Sequence, residues 1–105
     1  MTDQKELYIK LGNSLKDTVE SQMFGKPCFK INGKAFICFF EDEMVFKLKA
    51  DVHKNALALE NAQLFDPSKK NRPMKEWVQV PFEHNGLWKK FASEAMKYVE
   101  ELTKK

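Results

Sequence analysis

The spacing of apolar residues changes along the chain, and each spacing predicts a different kind of element. Near the N-terminus large apolar residues recur at every fourth position among polar ones, which predicts an amphipathic helix over residues 2–20. The series is Leu7, Leu11, Leu15 and Val19. Thr2 or Asp3 can cap this helix. Pro27 ends helical structure, because proline disfavours the α conformation of the residue before it.

A β-hairpin is predicted in the centre of the chain. Asn32 and Gly33 separate two runs rich in apolar residues, 28–31 and 34–40, and this dipeptide favours the two-residue type I′ turn. Alternation divides the second run into two apolar sets: Ala35, Ile37 and Phe39 against Phe36, Cys38 and Phe40. Because neither set suits water, we expect this strand to lie inside the sheet. We interpret Met23-Phe24-Gly25 as a tight junction between the first helix and the hairpin.

Shorter elements follow the hairpin. Residues 44–49 predict a strand with one apolar and one wet side, the wet side including Lys47 and Lys49. Asp51 can cap a short helix that reaches about Glu60. A further short strand is expected at residues 63–65.

The last third of the chain predicts a loop, a strand and a helix. Residues 66–75 are bounded by prolines and have no apolar period, which predicts an exposed loop. Residues 76–82 alternate as a strand in which Pro81 marks either a sheet edge or the end of the strand, because proline cannot donate a hydrogen bond to a neighbouring strand. Residues 86–103 predict a helix. Its expected apolar face is Leu87, Trp88, Phe91, Ala95, Tyr98, Val99 and Leu102.

Taken in order, these elements are a helix, three strands, a helix, two strands and a helix. Each helix is apolar along one stripe only, so packing the helices against one side of a sheet buries their apolar surface. We therefore expect a single α+β domain over residues 1–105. Its sheet is expected to be mainly antiparallel and five-stranded, in the order α-β3-α-β2-α.

Composition is typical of a globular domain rather than a disordered one. Of the 105 residues, 43% are hydrophobic and nine are Phe, which is enough to build a core. Cys28 and Cys38 lie in apolar runs and are expected to be reduced core residues. Trp77, Phe82 and Trp88 are also expected in the core. No stretch approaches the roughly 20 apolar residues of a membrane helix, so we expect a cytoplasmic protein without a membrane partner.

Reactive side chains do not fall into a catalytic or metal-binding motif. His53, His84 and the two cysteines are the candidate soft ligands, and their spacing fits neither CxxC nor HExxH. The carboxylate runs 41–43 and 100–101 lie in polar settings, where burial cannot raise a carboxyl pKa toward the range of a general acid. The glycines are too far apart to form a phosphate-binding loop. We therefore expect no catalytic residue, no metal and no cofactor.

Positive charge is concentrated in the middle of the chain, although the formal net charge is only +3. A patch on this part of the molecule could contact phosphates without specifying a base sequence. The candidate nucleic-acid contacts are Lys47, Lys49, Lys69, Lys70, Arg72 and Lys75, with Lys26 and Lys30 nearby in sequence. The alternative interpretation is a solvated loop and a sheet edge that lysines protect from aggregation.

Several short motifs resemble the N-terminal domain of the TfoX family. They are Met23-Phe24-Gly25, Asn32-Gly33-Lys34 followed by Phe36, Phe46-Lys47, Trp77-Val78-Gln79-Val80-Pro81, and a terminal helix that begins near Trp88. The stretch Gly25-Lys26-Pro27-Cys28-Phe29-Lys30 is more similar to MmcQ/YjbR-type proteins, and Lys26-Pro27 departs from the further glycine that usually follows in the TfoX motif. The resemblance implies a fold like that of the type III secretion chaperones. It also implies a link to the regulation of competence, some DNA binding, and no enzymatic activity.

Three functional hypotheses remain at this point. The first is a non-enzymatic binding module that acts through protein contacts, with a protein partner or as a homodimer formed across an exposed sheet face or edge. The second is weak nucleic-acid binding through the basic loop and strand lysines. The third is a small-molecule or enzymatic site in a cleft between the sheet and the C-terminal helix.

Overall fold

The computed structural model describes residues 3–23, 25–66 and 74–103, and for Met23 the backbone alone. The helices are α1 (Asp3–Ser14), α2 (Ala50–Leu57) and α3 (Asn85–Thr103), with a 3₁₀ turn at Phe82–His84. The strands are β1 (Thr18–Met23), β2 (Lys26–Ile31), β3 (Lys34–Phe40), β4 (Glu43–Lys47), β5 (Gln63–Phe65) and β6 (Met74–Val80).

Within these residues six strands form one antiparallel sheet in the order β1-β2-β3-β4-β6-β5. The α+β class and the antiparallel sheet are therefore confirmed. The predicted count of five strands and the order α-β3-α-β2-α are wrong, because β1 adds a strand between α1 and the hairpin. Met23 of β1 pairs with Lys26 of β2, so the motif that begins at Met23 joins two strands. The expected junction between a helix and a strand is therefore wrong.

Helix α1 ends at Ser14, so the predicted helix over residues 2–20 is wrong beyond that point. Asp17 has a φ of 65°, a left-handed conformation that a right-handed helix cannot contain. The hydroxyl of Thr18 donates to the carbonyl oxygens of Gly12 at 3.0 Å and Leu15 at 3.1 Å, which satisfies acceptors at the end of the helix. From Thr18 onward the chain is extended and pairs with β2.

The central hairpin is confirmed. Asn32 and Gly33 have φ values of 53° and 82°, as a type I′ turn requires, and they join β2 to β3. Strand β3 lies between β2 and β4, inside the sheet, as its two apolar sides predict.

A β-bulge in β3 changes the side on which two of its residues lie. Phe29 faces Ile37 and Lys30 faces Ala35 across the strand pair, so Phe36 is the extra residue. Phe36 packs with Ile37 against the helices, and Ala35 packs on the other side of the sheet. The predicted sides of Ala35 and Phe36 are therefore wrong, because strict alternation does not hold across a bulge.

One side of the sheet carries what we call the helix-side core, to which all three helices contribute. Tyr8 of α1, Ala56 of α2 and Trp88 of α3 are fully buried in it. The rings of Phe46 and Phe91 meet edge to face, with centroids 5.6 Å apart. Each large side chain buried here contributes on the order of 2 kcal/mol. The expectation that the helices pack on one side of the sheet is confirmed for the described residues.

The apolar face of α3 is narrower than the sequence suggests. Its buried stripe consists of Trp88, Phe91, Ala92, Ala95 and Val99. Leu87 and Leu102 are 38% and 56% exposed, so their predicted place on the buried face is wrong. Leu87 lies about 100° around the helix from Trp88. Leu102 lies in the last turn of α3, where Thr103 accepts a hydrogen bond from the Asn32 side chain of the β2–β3 turn.

The opposite side of the sheet carries a second buried group, which we call the far-side cluster. It consists of Cys28, Cys38, Phe40, Val45, Phe65 and Trp77. Both cysteines are free thiols, as expected for reduced core residues. The prediction that Trp77 and Trp88 belong to the core is confirmed, and Phe82 is half-buried against Trp88.

The remaining elements follow the sequence with shifted ends. Helix α2 starts at Ala50, and its N-cap is Lys49 without a side-chain cap, so the predicted capping by Asp51 is wrong. Strand β5 is confirmed. Strand β6 starts at Met74, so the last two residues of the predicted loop 66–75 belong to a strand. Residues 67–73 of that loop lie outside the described residues. Strand β6 ends at Val80, directly before Pro81, which is one of the two predicted alternatives. Among the described residues, no helix combines the length and apolar character that crossing a membrane requires.

Candidate protein-interaction edge

Strand β1 forms one edge of the sheet. Among the described residues it pairs with β2 alone, so its other long side presents backbone N–H and C=O groups that no neighbouring strand satisfies. Such a row of unpaired groups is a template for a strand of another chain. The sequence interpretation missed this strand, because the i, i+4 series assigned Val19 to a helix. The adjacent β-branched pair Thr18 and Val19 is the signal that could have found it.

Edge strands usually carry features that block pairing, and β1 has few of them. Charged side chains, above all lysine, and proline, bulges and short length are the common protections. The sequence of β1, TVESQM, contains neither lysine nor proline, Glu20 is its one charged residue, and its six residues pair with β2 in an unbroken register. At the opposite edge β5 has three residues and a shifted register. The two edges therefore differ, and β1 is the one suited to pairing.

The two sides of β1 have different chemistry. Val19 and Ser21 lie opposite Lys30 and Cys28 of β2, on the side of the far-side cluster. Glu20 lies opposite Phe29, on the side of the helices. Val19 is 64% exposed, which makes it the most exposed large apolar side chain among the described residues. An exposed apolar side chain on an edge strand adds hydrophobic surface to the unpaired backbone.

The candidate nucleic-acid contacts do not form one group in the part of the chain that the structure describes. Lys49 reaches α3, where its Nζ lies 2.9 Å from a carboxylate oxygen of Glu101 and 5.1 Å from the ring centroid of Tyr98. Lys47 lies 3.7 Å from Glu76. Lys75 is exposed on β6. Lys69, Lys70 and Arg72 lie outside the described residues.

Three lysines share the far side of the sheet. Lys26 and Lys30 alternate with Cys28 along β2, and Lys47 follows Val45 at the same spacing along β4. The Nζ of Lys26 lies 5.2 Å from the ring centroid of Phe40, a cation–π distance. This side of the sheet therefore presents positive charge around a buried aromatic group.

The candidate catalytic side chains are occupied or buried. Cys28 and Cys38 face each other across β2 and β3, and burial raises the pKa of both thiols. The side chain of His53 donates to the carbonyl oxygen of Lys75 at 2.7 Å, and that of His84 donates to a backbone carbonyl at 2.8 Å. Within the described residues no group of three or more His, Cys, Asp or Glu side chains could hold a metal ion.

A groove of about 250 Å³ lies between the start of α2 and the second half of α3, near the expected cleft. Two of its polar lining side chains bind each other, since Lys49 donates to Glu101 at 2.9 Å, and a third, the Tyr98 hydroxyl, donates to Glu76 of β6 at 3.1 Å. These contacts join α3 to Lys49, which follows β4, and to Glu76 of β6. They do not aim reactive groups at a common point.

Comparison with protein-family models, with curated proteins and with solved structures found no match to this chain.

Proposed function

We propose that this protein is a non-enzymatic binding module that captures an extended segment of a protein by strand addition to β1. The observation that carries this proposal is the unbroken six-residue edge, in which Val19, near its N-terminal end, is exposed. In strand addition, main-chain hydrogen bonds supply affinity and the alternating side chains supply specificity. A residue of the bound segment that lies beside Val19 is expected to be apolar.

The chemistry of the thiols supports a non-enzymatic role. A cysteine nucleophile needs a lowered pKa and access to solvent, and both Cys28 and Cys38 have a raised pKa and no exposure. The nitrogens of His53 and His84 that bind carbonyl oxygens are not available as bases. These groups are better explained as structural.

The resemblance to the TfoX N-terminal domain and to MmcQ/YjbR-type proteins adds a regulatory setting to this proposal. A module that captures an extended segment suits regulation through protein contacts. The additional strand β1 is the element that the sequence resemblance did not include, and it is the element on which the proposed binding depends.

Selection from a displayed library of random linear peptides tests strand addition, with the full chain as the immobilised target. Val19→Lys places a charged, edge-blocking residue in the N-terminal half of β1. We expect it to weaken the selected peptides at least about tenfold, equivalent to about 1.4 kcal/mol. Leu102→Lys is the matched control, because Leu102 is similarly exposed, at 56%, but lies on α3.

The two variants give opposite expectations. Peptides whose affinity falls in the Val19 variant and is unchanged in the Leu102 variant support the edge, and amide-resolved hydrogen exchange should show new protection in β1. Peptides that bind both variants as tightly as the original chain would contradict the proposal, as would a selection that yields no binder when light scattering shows the chain to be a monomer.

Nucleic-acid binding is the second candidate function, favoured by the three lysines that share the far side of the sheet. Lys26 and Lys30 lie on β2 and Lys47 lies on β4, and β3 is the one strand between them. Such an arrangement favours weak, salt-dependent binding of phosphates without base specificity.

A further inference from the structure

We infer that the segment bound at β1 is the β1 strand of a second copy of this chain, paired antiparallel with Ser21 on the two-fold axis. This inference rests on the proposed strand addition and names its partner. A two-fold axis perpendicular to a sheet reverses strand direction and keeps each side of the sheet on its own side. A residue on the far side of the sheet then lies opposite a far-side residue of the other copy. Because side chains alternate between the two sides along a strand, two such positions differ by an even number of residues. The axis therefore passes through a residue and not between two residues.

The sequence of β1 selects among the positions of the axis. With the axis at Glu20, two carboxylates lie directly opposite each other, which destabilises the pair. With the axis at Val19, the pairing runs into Asp17, whose φ of 65° takes it out of the strand. With the axis at Gln22, the strand ends soon after the axis at Met23. Each of these positions loses pairs or brings like charges together.

The axis at Ser21 brings no like charges together and keeps five of the six residues of β1 in pairs. Every residue from Val19 to Met23 then has a partner within the strand, and Ser21 faces its own copy. Glu20 faces the partner's Gln22, whose amide N–H can donate to the carboxylate. Val19 lies opposite position 23 of the partner. The strand is therefore complementary to itself about this position.

A groove lies beside the middle of β1. It has a volume of about 390 Å³ and is lined by Lys5, Glu20, Ser21, Gln22 and Pro27. Val19 and Gln22, on either side of Ser21, are exposed. The residues around the axis are therefore accessible to a second copy.

Cysteine cross-linking distinguishes this register from the others. Ser21→Cys is made together with Cys28→Ala, because Cys28 is the neighbour of Ser21 on β2 and would compete for a disulfide. Glutathione disulfide is the oxidant: the two thiols introduced at position 21 lose two protons and two electrons and form one S–S bond, and the oxidant becomes two molecules of reduced glutathione. A residue on the axis meets its copy at a separation that a disulfide can span.

Val19→Cys and Gln22→Cys in the same Cys28→Ala background are the controls. With the axis at Ser21, position 22 lies two residues along the strand from its copy, about 8 Å away, and position 19 lies four residues away, about 14 Å. Both separations exceed the roughly 7 Å limit between Cα atoms of a disulfide. We expect the cross-linked fraction of the Ser21 variant to exceed that of either control at least about fivefold. Circular dichroism confirms that each variant is folded.

Light scattering separates failure of this inference from failure of strand addition. A dimer mass for the original chain, lost in Val19→Lys, with cross-linking specific to Ser21→Cys, supports the self-paired dimer. Equal or stronger cross-linking at position 19 or 22 overturns the register. A monomer mass and no cross-linking at position 21 overturn the second copy as partner, and peptide binding that depends on Val19 would then leave strand addition standing.

Discussion

Gly12 of α1 marks the closest approach of this helix to the sheet. A Cβ at this position would lie 2.2 Å from the ring of Phe29, which is itself buried and cannot move aside freely. Gly12→Ala should gain up to about 1 kcal/mol of helix propensity but lose more through overpacking. We expect a net destabilisation on the order of 1–2 kcal/mol, measured by urea denaturation.

Gly86→Ala is the control for this effect. Gly86 lies in the first turn of α3, and nothing lies within 4 Å of an added Cβ. The same change should therefore be neutral or slightly stabilising there. Equal losses of stability at both positions would show that contact with Phe29 is not the cause.

The hydroxyl of Tyr8 is a second residue-scale feature with a testable cost. It is buried without a hydrogen-bond partner among the described residues. Burial raises its pKa, and nearby Cys28, Cys38 and Glu20 add to the rise. Tyr8→Phe removes the unsatisfied group while keeping the ring packing on Phe29. We expect it to stabilise the fold by up to about 1 kcal/mol at neutral pH.

The same substitution should change the alkaline stability profile. Because the folded-state pKa of Tyr8 lies above the unfolded value of 10.0, the folded state retains a proton that the unfolded state loses. Its contribution is fully present below pH 10 and falls as the pH rises further. Tyr8→Phe should flatten this loss in denaturation curves above pH 10. A profile as steep as that of the original chain would refute the assignment.

At the scale of elements, α2 begins with a strained residue. Ala50 has a φ of 53°, a left-handed conformation that costs a residue with a Cβ about 1–2 kcal/mol. Ala50→Gly should therefore stabilise the protein by about 1 kcal/mol. Thermal denaturation provides the measurement.

Ala58→Gly is the matched change at the other end of α2. Ala58 has a φ of −76° in the right-handed region, so glycine offers no relief there and adds flexibility to the unfolded chain. We expect a loss of up to about 1 kcal/mol. Changes of the same sign at positions 50 and 58 would contradict the strain at Ala50.

At the scale of the whole molecule, charge distribution decides whether nucleic acid is a partner. Replacing Lys26, Lys30 and Lys47 together with Glu should weaken duplex DNA binding, because these lysines supply the positive charge on the far side of the sheet. Neutralising about four phosphates gives a slope near −3.6 in log K against log salt concentration. A mobility-shift titration measures both quantities. Absence of any binding at about 50 mM salt would remove this function.

Lys49→Glu is the control for charge. Lys49 already contacts Glu101 and the Tyr98 ring of α3, so it contributes less free positive charge to a bound phosphate. We expect a smaller loss of affinity than in the triple variant, even after allowing for the number of substitutions. A larger loss of DNA affinity in Lys49→Glu than in the triple variant would indicate that nucleic acid binds on the side of α3.

Several features of this fold could be predicted from the sequence by local rules. The Asn32-Gly33 turn, the interior position of β3 and four of the five buried residues of α3 follow from turn geometry and from the spacing of apolar residues. The reduced cysteines follow from their apolar neighbours. These features depend on residues that are close together in the chain, and a single sequence contains that information.

Tertiary structure decided between helix and strand at Val19 and showed which strand forms the edge. Val19 fits the helical series and also fits an extended strand, and pairing with β2 selects the strand. The bulge that moves Phe36 to the helix side likewise depends on a register with a separate strand. Strand pairing is a non-local interaction whose free energy no local pattern reveals. The proposed interaction edge could therefore be recognised only once the order of the strands was known.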